Sequence, residues 1–210
     1  MPGKLQRYER ANPRARWKPV GELVQVVVGK SGLGWGLGTR SVSIASGPIK
    51  KEGDGRAPAG VFRLSAVFGY ASKQPAPWKM PYIASTPSVE CVDDPHSKFY
   101  NRIVDRATVS PDWNSSEHML LGDERYRWGI VVEHNAATNA QPAVPGSGSC
   151  IFLHIWLGPE TSTVGCTAMA QEDLKALLAW LDPSRSPMLV QLPETQYKSL
   201  RKQWKLPPLN

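Results

Sequence analysis

Only three cysteines, Cys91, Cys150 and Cys166, occur in the 210 residues of this chain, too few to replace a hydrophobic core with a disulfide framework. An odd number leaves at least one thiol free in a monomer. Cys91 and Cys150 could pair in an oxidising compartment and leave Cys166 free; nothing in the sequence establishes that pairing. No run approaches the roughly 18 apolar residues of a membrane-spanning helix. The opening MPGKLQRYER carries charges but no apolar stretch. A cytosolic protein reads this way, and so does one whose export segment has been removed. No internal repeat is present. There is no P-loop, GxGxxG or GxSxG, and no CxxC, HxH or HExxH spacing. Cys166, His154, His134 and Asp94 can be grouped into a zinc site on paper, but no ligand spacing supports it, so no metal or cofactor is expected. No zinc-finger, RNP or helix-turn-helix signature is present, so nucleic acid is not an expected partner.

What is present suits one domain. Hydrophobic residues make up 41% and charged residues 20% of the chain, enough for a real core and too few charges for a disordered polymer. A single unit over 1–210 is expected, with its core at about 23–192. The net charge is +7. That is ordinary for a soluble protein, and it also suits a polyanionic partner such as nucleic acid, anionic lipid or a bacterial cell wall. The densest basic runs, RANPRARWK and RKQWK, are both terminal. With 18 glycines and 19 prolines, many turns and few long helices follow, so the fold class expected is mainly β (α+β).

The pattern along the chain agrees. Strands are expected in ELVQVVVGK, RSVSIASG (Val42 and Ile44 on one face), about 61–68, WKMPYIAST, VECVDD, YRWGIVVEHN, GSCIFLHIWLG and PMLVQLP. Leu174, Leu177, Leu178 and Leu181 fall at i, i+3, i+4 and i+7. Glu172 and Asp173 lie in the first turn and Pro183 stops the run, so one helix is expected near 170–182. A short C-terminal helix follows, with Pro193 in its first turn. Residues 95–126 are polar and aromatic without periodicity, and read as a long irregular binding loop.

Cys166 follows Gly165 and precedes the Leu-rich helix by a few residues. Amides near a helix start favour a thiolate and lower its pKa. The same amides could also hold an oxyanion, and Gly165 lets the backbone approach a substrate closely. The plain alternative is an inert cysteine in a small-residue turn. His154 shifts the balance. Strand alternation puts Cys150, Phe152, His154 and Trp156 on one face, and the aliphatic Ile151, Leu153, Ile155 and Leu157 on the other, facing the core. A single histidine in an apolar strand is often just a core residue. Here the loop GPETSTV is long enough to bring Cys166 back beside it, and a Cys–His pair is the minimal nucleophile–base unit for acyl transfer. Cys150, about 13 Å from His154 at about 3.3 Å per residue, with Phe152 between them, reads as structural. Weaker candidates for lining a cleft are His134, Asn135, Asp94, Tyr100 and Asn101. Trp156 and Trp128 are core residues or stacking platforms.

Three stretches resemble the L,D-transpeptidase catalytic domain, the YkuD family of bacterial cell-wall enzymes. GDGRAPAGVF is similar to its Thr-Pro-x-Gly-x-Phe turn, IFLHIW to its histidine strand, and STVGCTAM to its Ser/Thr-x-Gly-Cys loop. Val164, Ala168 and Ile155 depart from the residues common at their positions, as in a divergent branch. The resemblance implies a β sandwich and a thioester mechanism on peptidoglycan stem peptides. His154 takes the proton of Cys166, the thiolate attacks an L,D amide, and the amides of Gly165, Cys166 and Thr167 hold the oxyanion. An amine then gives transfer, and water gives carboxypeptidase or amidase activity. It further implies a periplasmic or cell-envelope location. The segments CVDDPHSKFYNRIVD and SSEHM read as this branch's own substrate-binding elaboration. Two competing readings are a wall-binding module that keeps the fold without catalysis, and a redox sensor built on the three thiols.

Overall fold

In the computed structural model, which describes residues 1–40, 47–138 and 141–209, nine strands form one mixed sheet. They are β1 (Pro2–Glu9), β2 (Lys18–Val27), β3 (Leu33–Trp35), β4 (Ala57–Gly69), β5 (Tyr82–Ala84), β9 (Trp128–Val132), β10 (Phe152–Ile155), β11 (Thr167–Met169) and β12 (Met188–Gln191). The order across the sheet is β1-β2-β11-β10-β9-β4-β12, with β3 and β5 also paired to β4. A second sheet has three strands, β6 (Val89–Val92), β7 (Ile103–Asp105) and β8 (Ser116–His118), in the order β7-β6-β8.

β10 shows how the layers arise. Leu153 and Ile155 enter one buried cluster. Phe152 enters another, with Cys150 and Cys166. Successive strand residues point to opposite faces, so two clusters on one strand mean a sheet covered on both sides. Helix α1 (Gln171–Trp180) covers the first face with Leu174, Leu177 and Leu178. The three-stranded sheet covers the second with Val89 and Cys91, next to Met119 and Tyr126. A register shift in β4 between Leu64 and Val67 lets both residues face the first cluster although they are three apart. Phe68 then faces the second. Opposite His154 on β9 stands Gly129; a Cβ there would come within 2.1 Å of the Phe68 ring, so the ring occupies space that only glycine leaves.

The GDGRAPAGVF turn is organised by Asp54. Its carboxylate accepts from the Lys50 ammonium at 2.8 Å and from the amides of Lys51 and Arg56 at 2.8 and 2.9 Å. Gly53 and Gly55 take φ of 68° and 67°, the left-handed region that glycine enters without steric cost.

The mainly β, α+β expectation agrees with this fold, and both helices form, the second as α2 (Glu194–Trp204). Three details differ. β1 pairs along β2 where no element was expected; none of its residues is fully buried, so it carries no apolar alternation to read. β7 and β8 lie within the stretch read as loop, and three residues are too few for a period. Leu157 was expected in the core but is 65% exposed. β10 ends at Ile155, and the bond from the Trp156 amide to the Met169 carbonyl at 2.9 Å is the last rung of its ladder with β11, so the alternation does not reach Leu157. The strand expected around Val42 and Ile44 lies outside the described residues.

Candidate active site around Cys166

β10 and β11 run parallel, with Leu153 beside Thr167 and His154 beside Ala168. Cys166 therefore lies one step earlier, alongside Phe152. It shares a face with His154 on the neighbouring strand. The returning loop is pinned by Thr163. Its hydroxyl donates to the Cys166 carbonyl at 2.5 Å and accepts from the Gly165 amide at 3.3 Å. Its backbone bridges to the residues just past β2, donating to Val28 O at 3.2 Å and accepting from Lys30 N at 2.8 Å.

Cys166 is a free thiol, 7% exposed. The Phe152 amide donates to its sulfur at 3.4 Å, and its S–H donates to the Cys150 carbonyl at 3.6 Å. Burial, then the nearby Glu117 carboxylate, push this thiol up to about 12. The expected lowering by a helix start is not found. α1 begins only at Gln171 and β11 intervenes, so the helix amides do not reach the sulfur, and burial governs.

His154 is buried on the same face. Its Nδ1–H donates to the Ile155 carbonyl at 2.8 Å. That bond fixes the tautomer and leaves Nε2 as an unprotonated acceptor. Burial is the main cause that brings its pKa down to about 4, so the ring is neutral at neutral pH. Tyr126 stands edge-to-face against it, with centroids 5.3 Å apart. The Tyr126 hydroxyl donates to Glu117 Oε2 at 2.8 Å, and Tyr126 shares a buried cluster with Cys166. Burial raises Glu117 to about 7, helped by Asp93 and Glu52.

The disulfide Cys91–Cys150, with an S–S distance of 2.06 Å, ties β6 to the residue that leads into β10. Cys150, at φ 53°, is outside the strand and holds the second sheet over the site. The pairing that the sequence left open is thus between these two, and Cys166 is the free thiol.

The other candidates are distributed more widely. Thr167 sends its hydroxyl to Gln191 Oε1 at 2.6 Å, away from the sulfur. His134 is a buried strut: Nδ1 accepts from the Leu37 amide at 3.2 Å and Nε2 donates to the Ser147 carbonyl at 2.9 Å. Asn135 binds the Val144 and Gly148 carbonyls at 2.9 and 3.0 Å. Asn101 donates to the His134 and Asn135 carbonyls, both at 2.8 Å, and accepts from the Cys150 amide at 2.9 Å. These three residues hold the loops around the clasp. Tyr100 donates to Glu52 at 2.5 Å, and Ser149 donates to the same oxygen at 2.7 Å. Asp94 caps its own loop, accepting from the His96 and Asn114 amides at 2.9 and 2.8 Å. Trp156, partly exposed, lies just past β10. Among the described residues, no three His, Cys, Asp or Glu side chains gather as a metal site.

Glu117 and Tyr126 were not found by sequence reasoning. Glu117 reaches the site because it stands opposite Cys91 in the second sheet, a pairing invisible in SSEHM. Tyr126 sits just ahead of a legible strand, but nothing local marks it as a neighbour of Cys166.

The arrangement offers one sulfur nucleophile, a neutral imidazole with an open nitrogen, and a hydroxyl–carboxylate pair. Compared with known proteins, the family model of the L,D-transpeptidase catalytic domain (YkuD) matches residues 4–190, nearly the whole chain. No curated protein and no solved structure gives a significant match.

Proposed function

The chain belongs to the L,D-transpeptidase catalytic-domain family, and from that premise we propose that it is a cysteine acyltransferase acting on peptidoglycan stem peptides, with Cys166 as nucleophile and His154 as its acid–base partner. The family's members are cysteine-dependent enzymes of peptidoglycan. The observation that carries the reading for this chain is the register of β10 and β11. It sets the one free cysteine on the same sheet face as a histidine whose Nδ1 is already committed to a carbonyl.

In this reading His154 Nε2 receives the Cys166 proton as the sulfur attacks the carbonyl of an L,D amide. The Gly165 amide, held only by a long bond to Thr163, turns toward the developing oxyanion. Protonated His154 then passes its proton to the leaving D-residue's nitrogen, and a thioester remains on Cys166. An incoming amine gives transfer; water gives carboxypeptidase or amidase activity. Val164, 70% exposed beside the nucleophile, puts an apolar group on the lip of the site. The wall-binding alternative draws support from the depth of the thiol and from Val164 and Ala168. A periplasmic or cell-envelope location follows from the substrate, and a disulfide suits an oxidising compartment. No helix of the described residues is long and apolar enough to cross a membrane.

Mass spectrometry of muropeptides incubated with the protein tests this function. Products lacking the terminal D-residue are expected, joined to a new amine if the reaction is transfer, and absent with a folded Cys166→Ala variant. Binding to cell-wall sacculi that survives Cys166→Ala, with no product from either protein, supports the binding module instead.

A further inference from the structure

The basic runs RANPRARWK and RKQWK have no role in acyl transfer and lie far apart in the sequence, yet the fold brings them together. Trp17 Nε1 donates to the Lys205 carbonyl at 3.0 Å, and the Tyr8 hydroxyl donates to the Pro208 carbonyl at 2.6 Å. These bonds strap the end of α2 to the β1–β2 hairpin. Asn12 builds the hairpin turn, its Oδ1 accepting from the amides of Arg14 and Ala15 at 2.9 and 3.0 Å. Arg14, Arg16 and Lys18 are exposed around that turn. On α2 and its cap, Lys198, Arg201, Lys202 and Lys205 fall at i, i+3, i+4 and i+7, one stripe of a helix, and all are exposed.

The charge collected here is the whole excess of the chain. Residues 4–22 and 194–205 carry ten Lys and Arg against three Glu, which equals the net charge of +7; the other fifteen cations are matched by fifteen carboxylates. Among the described residues, only Lys198 of the ten makes an ion pair, with Glu194 of its own helix. Seven of the fifteen elsewhere are paired. A basic last turn suits the helix dipole by itself, which accounts for Arg201 and Lys202 but not for the hairpin. Such a concentration of uncompensated charge attracts a polyanion.

We propose that this surface binds the cell-wall polymer itself, through free carboxylates on stem peptides other than the one in the active site. The choice of polymer rests on the acyltransferase reading. The donor in that reading ends in a D-residue with a free carboxylate, and each unlinked stem of the network ends the same way. The geometry suits one polymer reaching both places. β2 starts at the hairpin with Lys18 and ends at Val27, which pairs with Ala168 just past the nucleophile. Ten residues at about 3.3 Å each put the patch roughly 30 Å along the strand from Cys166, beyond a single bound stem. A lipid surface fits less well. A helix lying on a membrane turns its apolar side toward the lipid, whereas α2 buries Trp204, half-buries Tyr197 and Leu200, and shows its cations outward.

The test is co-sedimentation with purified sacculi freed of attached phosphate polymers. The full chain is used as Cys166→Ala, so that the wall is not altered. Binding is expected, and it should weaken at least tenfold when salt rises from about 50 mM to about 500 mM, where screening acts within roughly 4 Å. It should also be lost when the sacculus carboxylates are amidated. Adding Arg14→Gln, Arg16→Gln, Arg201→Gln and Lys202→Gln should weaken it about tenfold or more, the worth of four exposed charge contacts. None of these four side chains makes a hydrogen bond or ion pair among the described residues, so the fold does not depend on them. Arg14→Lys, Arg16→Lys and Arg201→Lys keep the charge and should bind like the parent. Equal binding by the glutamine variant, or binding indifferent to salt or to amidation, overturns the proposal. So does binding to anionic phospholipid vesicles or duplex DNA with none to sacculi. Muropeptide turnover does not enter this readout. Patch-dependent sacculus binding in a protein without turnover supports this surface while removing the acyl-transfer function; turnover with patch-independent binding does the reverse.

Discussion

Two histidines of this protein are buried almost equally, and burial brings both down to about 4. They differ in what their nitrogens do. His134 has both committed, one to the Leu37 amide and one to the Ser147 carbonyl, and it packs edge-on against Phe62 with centroids 5.8 Å apart. His154 has one committed, to its neighbour's carbonyl, and faces Tyr126 on the side of the sheet that carries Cys166. Burial and perturbed acidity therefore do not separate a structural histidine from a candidate base. The free nitrogen does.

The largest effect that should split the pair is on turnover. His154→Gln is expected to lower muropeptide turnover by about 100- to 10,000-fold, the usual worth of a general acid–base group, with its unfolding midpoint close to wild type. His134→Gln should leave turnover per folded molecule near wild type. Equal losses of turnover in the two variants would erase the distinction. Next in size is the clasp that holds the second sheet above His154 and Cys166. Cys91→Ser opens a loop with a sequence separation of 59 and should cost about 4 kcal/mol in chemical denaturation on the chain-entropy model. A change near zero would mean that the second sheet stays in place without it.

Acid should sharpen the comparison from the other side. Both histidines have folded pKa values depressed from 6.5 to about 4. Folding thus favours their neutral forms. The stability they contribute is fully present above about 6.5 and is lost as pH falls toward 4, at up to roughly 3 kcal/mol each. Denaturation midpoints measured from pH 7 to pH 4 should fall. His134→Gln, already weaker at pH 7 through two lost hydrogen bonds, should fall less steeply. A slope unchanged by His134→Gln would show that its burial is not what acid reverses.

Much of this comparison was legible in the sequence. The alternation of Phe152 to Ile155 predicts which residues share a face, because a central strand buried on both sides still obeys the period of two. The helix of Leu174, Leu177 and Leu178 is legible for the same kind of reason. Leu157 is not, because the ladder has its last pair at Ile155 and Met169, and beyond it the period of two no longer holds. The acidity of Cys166 is misjudged from the sequence. Proximity to a helix start along the chain says nothing of the strand placed between, or of the burial that strand brings. Glu117 and Tyr126 come from a stretch without periodicity and reach the site through a three-residue pairing and a disulfide. Long-range contacts of that kind leave no local mark.

The most direct test of the central claim is a search for the covalent intermediate. Wild-type protein quenched in acid during turnover of a stem-peptide donor should gain the mass of the donor less its terminal D-residue, located by peptide mapping to Cys166. The same experiment with Cys166→Ala should give neither adduct nor product. Product formed by the Cys166→Ala variant, or an acyl group found on any residue other than Cys166, would contradict the account.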